Sequence, residues 1–181
     1  ADDDMNWLHG FGGTPTYIAS LKTFCCPSTR NDVDPTAQSK VLINGQVLTL
    51  LTDLRAKAAN NQATHGTSYE VFGCWHEANH APIYPRKSLK SVLTYANQNP
   101  PYAGQRAGPS GIFIIMDQME PHAAQGWPWE NWPNPFNNHG PDGGNVVFAD
   151  GHASWIGVHR WKQAISMSED YASTWGFPPG Y

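Results

Sequence analysis

Residues 139–152 contain the side chains with the clearest potential to bind a ligand. His139 and His152 offer imidazole nitrogens, and Asp150 offers a carboxylate. Mixed histidine and carboxylate ligands are typical of zinc-like ions, whereas a site rich in carbonyl oxygens favours calcium. One hypothesis is therefore a divalent metal, Ca²⁺ or Zn²⁺, held by His139, Asp150 and His152, with Asp117 or Asp142 as an alternative carboxylate.

The same residues also have a structural interpretation. Asp150 and Gly151 separate two runs rich in β-branched and aromatic residues, which predicts a β-hairpin over 145–156 with a two-residue turn. That turn explains Asp150 without any ligand. His139 would then hydrogen-bond to Asp150 or to the strand backbone and hold the preceding loop in place. In the predicted register, one apolar face contains Val146, Phe148, Ala153 and Trp155.

A second motif, residues 76–80, has the His-Glu-x-x-His spacing of zinc peptidases. That chemistry needs both histidines on one face of a helix, with the glutamate beside a metal-bound water. Gly73 and Pro82 leave little room for such a helix, and no third ligand follows at the usual short spacing. The alternatives are a zinc-dependent hydrolase that uses His76, Glu77 and His80, and a polar loop without activity.

The segment 126–136, GWPWENWPNPF, places Trp127, Trp129 and Trp132 among prolines that stiffen the chain. Rigid exposed indoles form stacking platforms for sugar rings, which predicts a secreted carbohydrate-binding or carbohydrate-active protein. The indoles would otherwise fold back as a small core beneath the loop. Glu120 and Glu130 lie nearby in sequence and are the residue type that a glycosidase needs as a carboxylate pair.

The elements that must position these residues indicate an α+β fold in one domain, residues 1–181. The apolar run Ile112–Met116 predicts a central strand beside the 145–156 hairpin. Asn44-Gly45 predicts another hairpin within residues 40–51, although the stretch 50–59 is also compatible with a helix. Residues 122–144 form a Trp/Pro-rich loop too long to be a simple connector. Short helices are predicted over 14–24, 86–97 and 161–168, and a further strand over 67–74.

The composition narrows the class of protein. The chain has 11 Lys and Arg against 15 Asp and Glu, so its net charge of −4 gives no attraction to nucleic acid or to anionic membranes. No stretch approaches the roughly 18 apolar residues of a membrane span.

Cys25 and Cys26 are adjacent and poorly placed to bond to each other. A disulfide from one of them to Cys74 is expected in an oxidising compartment, and buried thiols are the alternative.

Four segments, spread from end to end, carry a resemblance to a known family: ADDDMNWLHG, FCCPST, PSGIFIIMDQ and NHGPDGGNVVFADGHASWI. The chain resembles the extracytoplasmic part of prepilin-type proteins of the type II secretion (pseudopilin) kind. It is most similar to the family with a histidine followed nine residues later by Asp-Gly. Here ten residues separate His139 from Asp150. The N-terminal apolar helix of the family, with its peptidase cleavage site, is missing from this sequence.

The resemblance implies an antiparallel sheet that packs on a long N-terminal helix. It further implies a non-enzymatic subunit of the periplasm, the cell surface or the secreted fraction. Other pilin-like subunits would be its partners. Polysaccharide is a further candidate ligand because of the Trp-rich loop, and the net charge argues against nucleic acid. Contact with a membrane would be made only through the missing helix.

Overall fold

The computed structural model describes residues 4–11, 17–56, 65–75, 85–171 and 177–180. Within them, helices and antiparallel sheets are combined, which confirms the α+β class. The helices are α1 (Asn6–His9), α2 (Leu89–Thr94) and α3 (Val158–Glu169). One sheet contains β1 (Gln38–Ile43) and β2 (Gln46–Leu51). The other has the strand order β3 (Tyr69–Val71), β4 (Phe113–Asp117), β5 (Gly143–Phe148) and β6 (Ala153–Gly157).

The two-stranded sheet is the hairpin that Asn44-Gly45 predicts. Both turn residues have positive φ, 50° and 79°, as a two-residue type I′ turn requires. Residues 46–51 are therefore strand, and a 3₁₀ turn follows at Thr52–Arg55. The cross-strand pair Leu42 and Val47 is 71% and 66% exposed, so the tip of this hairpin projects away from the core.

One face of the four-stranded sheet forms the main core. Helix α3 follows β6 directly and packs its Trp161 and Ile165 against this face, both 0% exposed. Their four-residue spacing places them on one side of the helix. The helix ends at Asp170, which adopts a left-handed conformation with φ 56°. The sheet contributes buried side chains from three strands to this core: Phe113, Met116, Val146, Phe148 and Ile156.

The closing hairpin differs from its predicted register by one residue. Phe148 N–H donates to the His152 carbonyl, and Gly151 N–H donates to the Phe148 carbonyl. The connection therefore has three residues and ends in a left-handed Gly151 with φ 90°, a common alternative to the two-residue turn. A one-residue slip moves side chains to the opposite face. The predicted apolar face is wrong for this reason: Val146 and Phe148 share a face with Ile156, whereas Ala153 and Trp155 lie on the other face with Val147.

The remaining helices differ in length from what their patterns predict. Within 14–24, the described residues contain only a 3₁₀ turn at Leu21–Phe24. Helix α2 begins after Ser88, whose hydroxyl accepts from Ser91 N–H while Ser91 Oγ accepts from Ser88 N–H. Helix α3 begins three residues before the predicted 161–168 and extends past its end. Among the described residues, no helix has the length and apolar character needed to cross a membrane.

Candidate functional site

A row of side chains crosses the second face of the four-stranded sheet, one from each strand. Tyr69 pairs with Asp117 between β3 and β4, and Asn145 pairs with Trp155 between β5 and β6. The row is joined in the middle, where Asn145 donates to Asp117 Oδ2 from its backbone nitrogen at 2.6 Å and from Nδ2 at 3.0 Å. The Asp117 carboxylate is only 2% exposed.

Two residues from distant loops cover this row. His139 Nε2 lies 3.2 Å from Asp117 Oδ2 and 3.6 Å from Cys26 Sγ. The imidazole also meets the Trp155 indole edge to face, with ring centroids 5.8 Å apart and planes at 88°. His139 thus contacts the closing hairpin through the Trp155 ring, whereas the predicted hydrogen bond to Asp150 or to the strand backbone is replaced by a contact with Asp117. The cluster of Cys26, Asp117 and His139 joins segments that are far apart in sequence.

Hydrogen bonds to the backbone hold Cys26 in position. Its N–H donates to Ser68 Oγ at 2.8 Å, and its carbonyl accepts from Thr29 Oγ1 at 2.8 Å. Ser68 Oγ in turn donates to Asn31 Oδ1, and Asn31 Nδ2 donates to the Gly66 carbonyl. The Cys-Pro-Ser turn is therefore bonded to the segment that leads into β3, which fixes the thiol above the sheet.

Asparagine side chains hold the loop that presents His139. Asn137 donates to the Trp132 carbonyl and accepts from Glu120 N–H, at 3.1 and 3.2 Å. Asn138 Nδ2 donates to the Ser68 carbonyl at 3.3 Å. Asn134 Nδ2 donates to the Glu120 carbonyl at 2.9 Å. A long loop without regular backbone pairing satisfies its buried polar groups in this way.

Burial governs the ionisation of the row. Burial raises the pKa of Asp117 above its ordinary value, and the Asn145 donors and His139 partly oppose this effect. Burial also raises the pKa of Tyr69 to about 12, with further contributions from Cys26 and Asp117. The Tyr69 hydroxyl therefore stays protonated at neutral pH.

The geometry of the cluster favours a structural role over nucleophilic catalysis. In a nucleophile–histidine–carboxylate triad, the carboxylate binds one ring nitrogen and the nucleophile approaches the other. Here Asp117 and Cys26 both approach Nε2 of His139. The thiol of Cys26 is 6% exposed and also lies 3.4 Å from Ser28 Oγ, to which it can donate. The cluster thus fastens two loops to the sheet.

The other two residues of the predicted metal site lie elsewhere. Asp150 and His152 pair with each other at the tip of the closing hairpin, where Nδ1 and Oδ1 are 2.6 Å apart. Their side chains are 38% and 46% exposed, and the His152 ring stacks on Phe148 with centroids 4.3 Å apart. Hydrogen bonds from His152 lower the pKa of Asp150. Within the described ranges, no group of three or more His, Cys, Asp or Glu side chains is arranged to hold a metal ion.

The Trp/Pro-rich loop contributes to the core. Trp132 is 1% exposed and belongs to the main core, so its ring is not available for stacking on a sugar. Trp127 and Trp129 are partly buried against the same core. Their rings meet edge to face at 81°, with centroids 5.8 Å apart, which is not the coplanar platform that a glycan site needs.

Two further predictions concern the zinc-peptidase motif and the cysteines. His76, Glu77 and His80 lie outside the described residues. No disulfide bond joins Cys25, Cys26 and Cys74, so the expected bridge is not present in the structure. Cys26 instead lies beside His139. Burial, and then the nearby carboxylates Asp32 and Asp53, raises the pKa of Cys25.

The roles of Cys26, Asn145 and Tyr69 were missed by reasoning from sequence alone. One feature of the sequence could have indicated this cluster: Cys26, Asp117 and His139 each lie in a different motif of the pilin-like resemblance. Comparison with models of known protein families, with curated proteins and with solved structures finds no match for this chain.

Proposed function

We propose that the chain is a non-enzymatic extracytoplasmic subunit of the pilin-like kind, which assembles through an apolar helix packed against its sheet. The observation that carries this proposal is an open apolar groove on the second face of the four-stranded sheet. The groove has a volume of about 280 Å³. Its walls are almost wholly apolar and include Met5, Leu8, Ile18, Phe24, Ile115 and Val147.

The sheet itself contributes the floor of this groove. Ile115 and Val147 pair across β4 and β5 and remain only half-buried. On β6, Ala153 is exposed, and Trp155 is 45% exposed. An apolar strip of this kind on an otherwise paired sheet is typical of a surface that receives another element.

The position of the N-terminal residues agrees with a helix as the occupant. Met5 and Leu8 form one wall of the groove, and Met5 N–H donates to the Leu54 carbonyl at 2.9 Å. Asn6 fixes this wall further, since its side chain exchanges hydrogen bonds with the backbone of Leu51 at 2.9 and 3.0 Å. A helix joined to the chain ahead of residue 1 would therefore need only a short connection to reach the groove.

The Cys26, Asp117 and His139 cluster supports the same proposal. Three motifs of the pilin-like resemblance meet in one buried contact whose geometry fastens loops rather than performs catalysis. A shared structural contact is a physical reason for such motifs in a protein without enzymatic activity. The carbohydrate alternative has no comparable support, because its three indoles are buried or tilted relative to one another.

The first test is genetic. The DNA directly upstream of the codon for Ala1 should encode a pilin-type apolar helix that follows a peptidase cleavage site. The second test is assembly of the full protein at the cell envelope, measured by chemical cross-linking to neighbouring subunits. Val147→Glu should lower assembly about tenfold or more, because an unpaired carboxylate in an apolar contact costs more than about 1.4 kcal/mol.

The matched control for this substitution is Val47→Glu on the β1–β2 hairpin. Val47 is 66% exposed and lies outside the groove, so this variant should assemble like the parent. Both variants should melt within a few degrees of the parent in the isolated domain. An upstream region without an apolar helix, or normal assembly of a folded Val147→Glu protein, would contradict the proposal.

A further inference from the structure

A buried lysine and a buried glutamate contact each other in the interior of the protein. Lys87 Nζ contacts Glu169 Oε1, and the two side chains are 1% and 0% exposed. Lys87 precedes α2, whereas Glu169 is the last residue of α3. The pair therefore joins two segments that are distant in sequence and has almost no contact with solvent.

The surroundings hold the lysine amine in place and exclude water. Nζ donates to the Phe113 carbonyl at 3.2 Å. The rings of Phe72, Trp75 and Phe113 lie around it, with centroids 5.6, 5.9 and 5.7 Å from the nitrogen. Phe72 and Phe113 also pack edge to face, with their centroids 5.4 Å apart. The nitrogen is thus fixed against one carboxyl group inside an aromatic pocket.

A buried ion pair is costly, because the loss of hydration of both charges offsets most of their attraction. We propose that Lys87 and Glu169 are a covalent modification site, at which Lys87 Nζ and Glu169 Cδ condense into an intramolecular isopeptide bond. This inference is independent of the pilin-like proposal, since it depends only on the core contact.

The atoms of the pair balance without a further reactant. A proton passes from the ammonium to the carboxylate, which gives a neutral amine and a carboxylic acid. The Nζ lone pair then attacks Cδ, and a C–N bond forms in a tetrahedral intermediate. A second nitrogen proton moves to the departing oxygen, the C–O bond breaks, and one water leaves. No oxidation or reduction occurs, and the product is a secondary amide.

Proximity lowers the barrier that keeps these groups unreactive when they are free in water. Well-oriented intramolecular reactions reach effective molarities of about 10⁵–10⁸ M. A site whose side chains are 1% and 0% exposed also keeps bulk water away from the new amide, which slows its hydrolysis. Condensation also removes two buried charges and leaves a neutral group whose carbonyl and N–H remain near the original hydrogen-bond partners.

The bond would connect the two segments that flank the core sheet. Lys87 N–H donates to the Gly73 carbonyl at 2.7 Å, which places residues 85–87 beside the chain that leaves β3. Glu169 ends the helix that follows β6. The cross-link would therefore enclose α2, β4, β5, β6 and α3 in one covalent loop, so that force applied to the chain could not separate these elements.

The test is mass spectrometry of the purified, denatured protein after incubation in the native state. The intact chain should weigh one water less than its sequence requires. Dehydration at Asp150-Gly151 would change the mass equally, so the position must be identified by trypsin digestion. Cleavage after Lys87 should be blocked, and residues 87–90 should appear joined to residues 163–181 in one branched fragment.

The control is the double variant Lys87→Met/Glu169→Leu. Apolar residues of similar size replace a buried ion pair with little loss of stability, so this variant should fold. It should show neither the branched fragment nor the mass loss at this site. If the folded parent protein retains the mass of the linear chain and yields separate 163–181 and 88–90 peptides, Lys87 and Glu169 form an ion pair only and the proposal is wrong.

Discussion

The substitution His139→Ala tests the cluster that fastens two loops to the sheet. It removes the imidazole that lies 3.2 Å from Asp117 Oδ2 and 3.6 Å from Cys26 Sγ. Asp117 is 2% exposed and cannot recover the lost contact from bulk water. It does keep the two donors of Asn145, at 2.6 and 3.0 Å, so the carboxylate is only partly deprived of partners.

The magnitude follows from these contacts. Loss of one partner of a buried polar group costs about 1–3 kcal/mol, and the remaining Asn145 bonds favour the lower half of that range. The edge-to-face contact with Trp155 adds about 0.5 kcal/mol, since this ring is 45% exposed. The expected loss is about 2 kcal/mol, which lowers the melting temperature of a domain of this size by roughly 4–8 °C.

The pH dependence gives a second measure of the same contact. His139 lowers the pKa of Asp117 while burial raises it, so removal of His139 raises this pKa further. A folded-state pKa above the unfolded value means that the folded state binds the proton more tightly. Stability then decreases as the pH rises toward the folded pKa. The destabilisation by His139→Ala should therefore become smaller as the pH falls through the pKa of Asp117.

Thermal melting followed by circular dichroism, at neutral and mildly acidic pH, measures both effects. His152→Ala is the matched control, because this histidine pairs with Asp150 at an exposed hairpin tip where solvent screens the interaction. Its melting temperature should stay close to that of the parent. If His139→Ala melts like the parent, or if the two histidine variants are equally destabilised, His139 does not stabilise the fold through its contacts with Asp117 and Cys26.

Two further predictions concern the same face and the main core. The parent should lose stability as the pH rises above the ordinary pKa of aspartate, because burial raises the pKa of Asp117 in the folded state. Asp117→Asn should remove most of this loss. Urea titrations at several pH values measure it, and an unchanged pH profile in the variant would contradict the prediction. Trp132→Ala should cost about 3–5 kcal/mol because the ring is 1% exposed. Trp129→Ala should lower the free energy of unfolding by only about 1–2 kcal/mol, because Trp129 is partly buried. Equal losses for the two variants in denaturant titrations would show that the loop packs differently.

The sequence was sufficient to predict those elements whose structure depends only on residues close together in the chain. Asn44-Gly45 predicted its hairpin, since two consecutive residues with positive φ are an intrinsic property of that dipeptide. The apolar run at 112–116 likewise predicted β4 within one residue. The closing hairpin shows the limit of this reasoning. Asp-Gly is compatible with both a two-residue and a three-residue connection, and the packing of Val146, Phe148 and Ile156 on α3 selects the latter.

That single step in register determines the candidate site. In the predicted register, Trp155 shares a face with Val146 and is buried with it. In the observed register, Trp155 lies on the opposite face, in the row that contains Asp117 and Asn145. The sequence contains no local signal for this row, because only β5 and β6 are joined by a short turn and the other strands are separated by long loops. The burial of Trp132 was equally hidden, since proline-rich segments with indoles occur both on surfaces and in cores.

The spacing of His139 relative to Asp-Gly can be understood from the same geometry. Asp150 makes no contact with His139, so the number of residues between them does not set the position of the imidazole directly. Two contacts set it: the bond of Asn145 to Asp117 fixes the start of β5, and the bond of Asn138 to the Ser68 carbonyl fixes the end of the loop. Between them lies a 3₁₀ turn, Gly140–Asp142, which begins at Gly140 with φ 73° and is followed by Gly143 with φ 148°. Such a turn can absorb one residue more or less. The tenth residue between His139 and Asp150 is therefore compatible with an imidazole that still rests on the sheet.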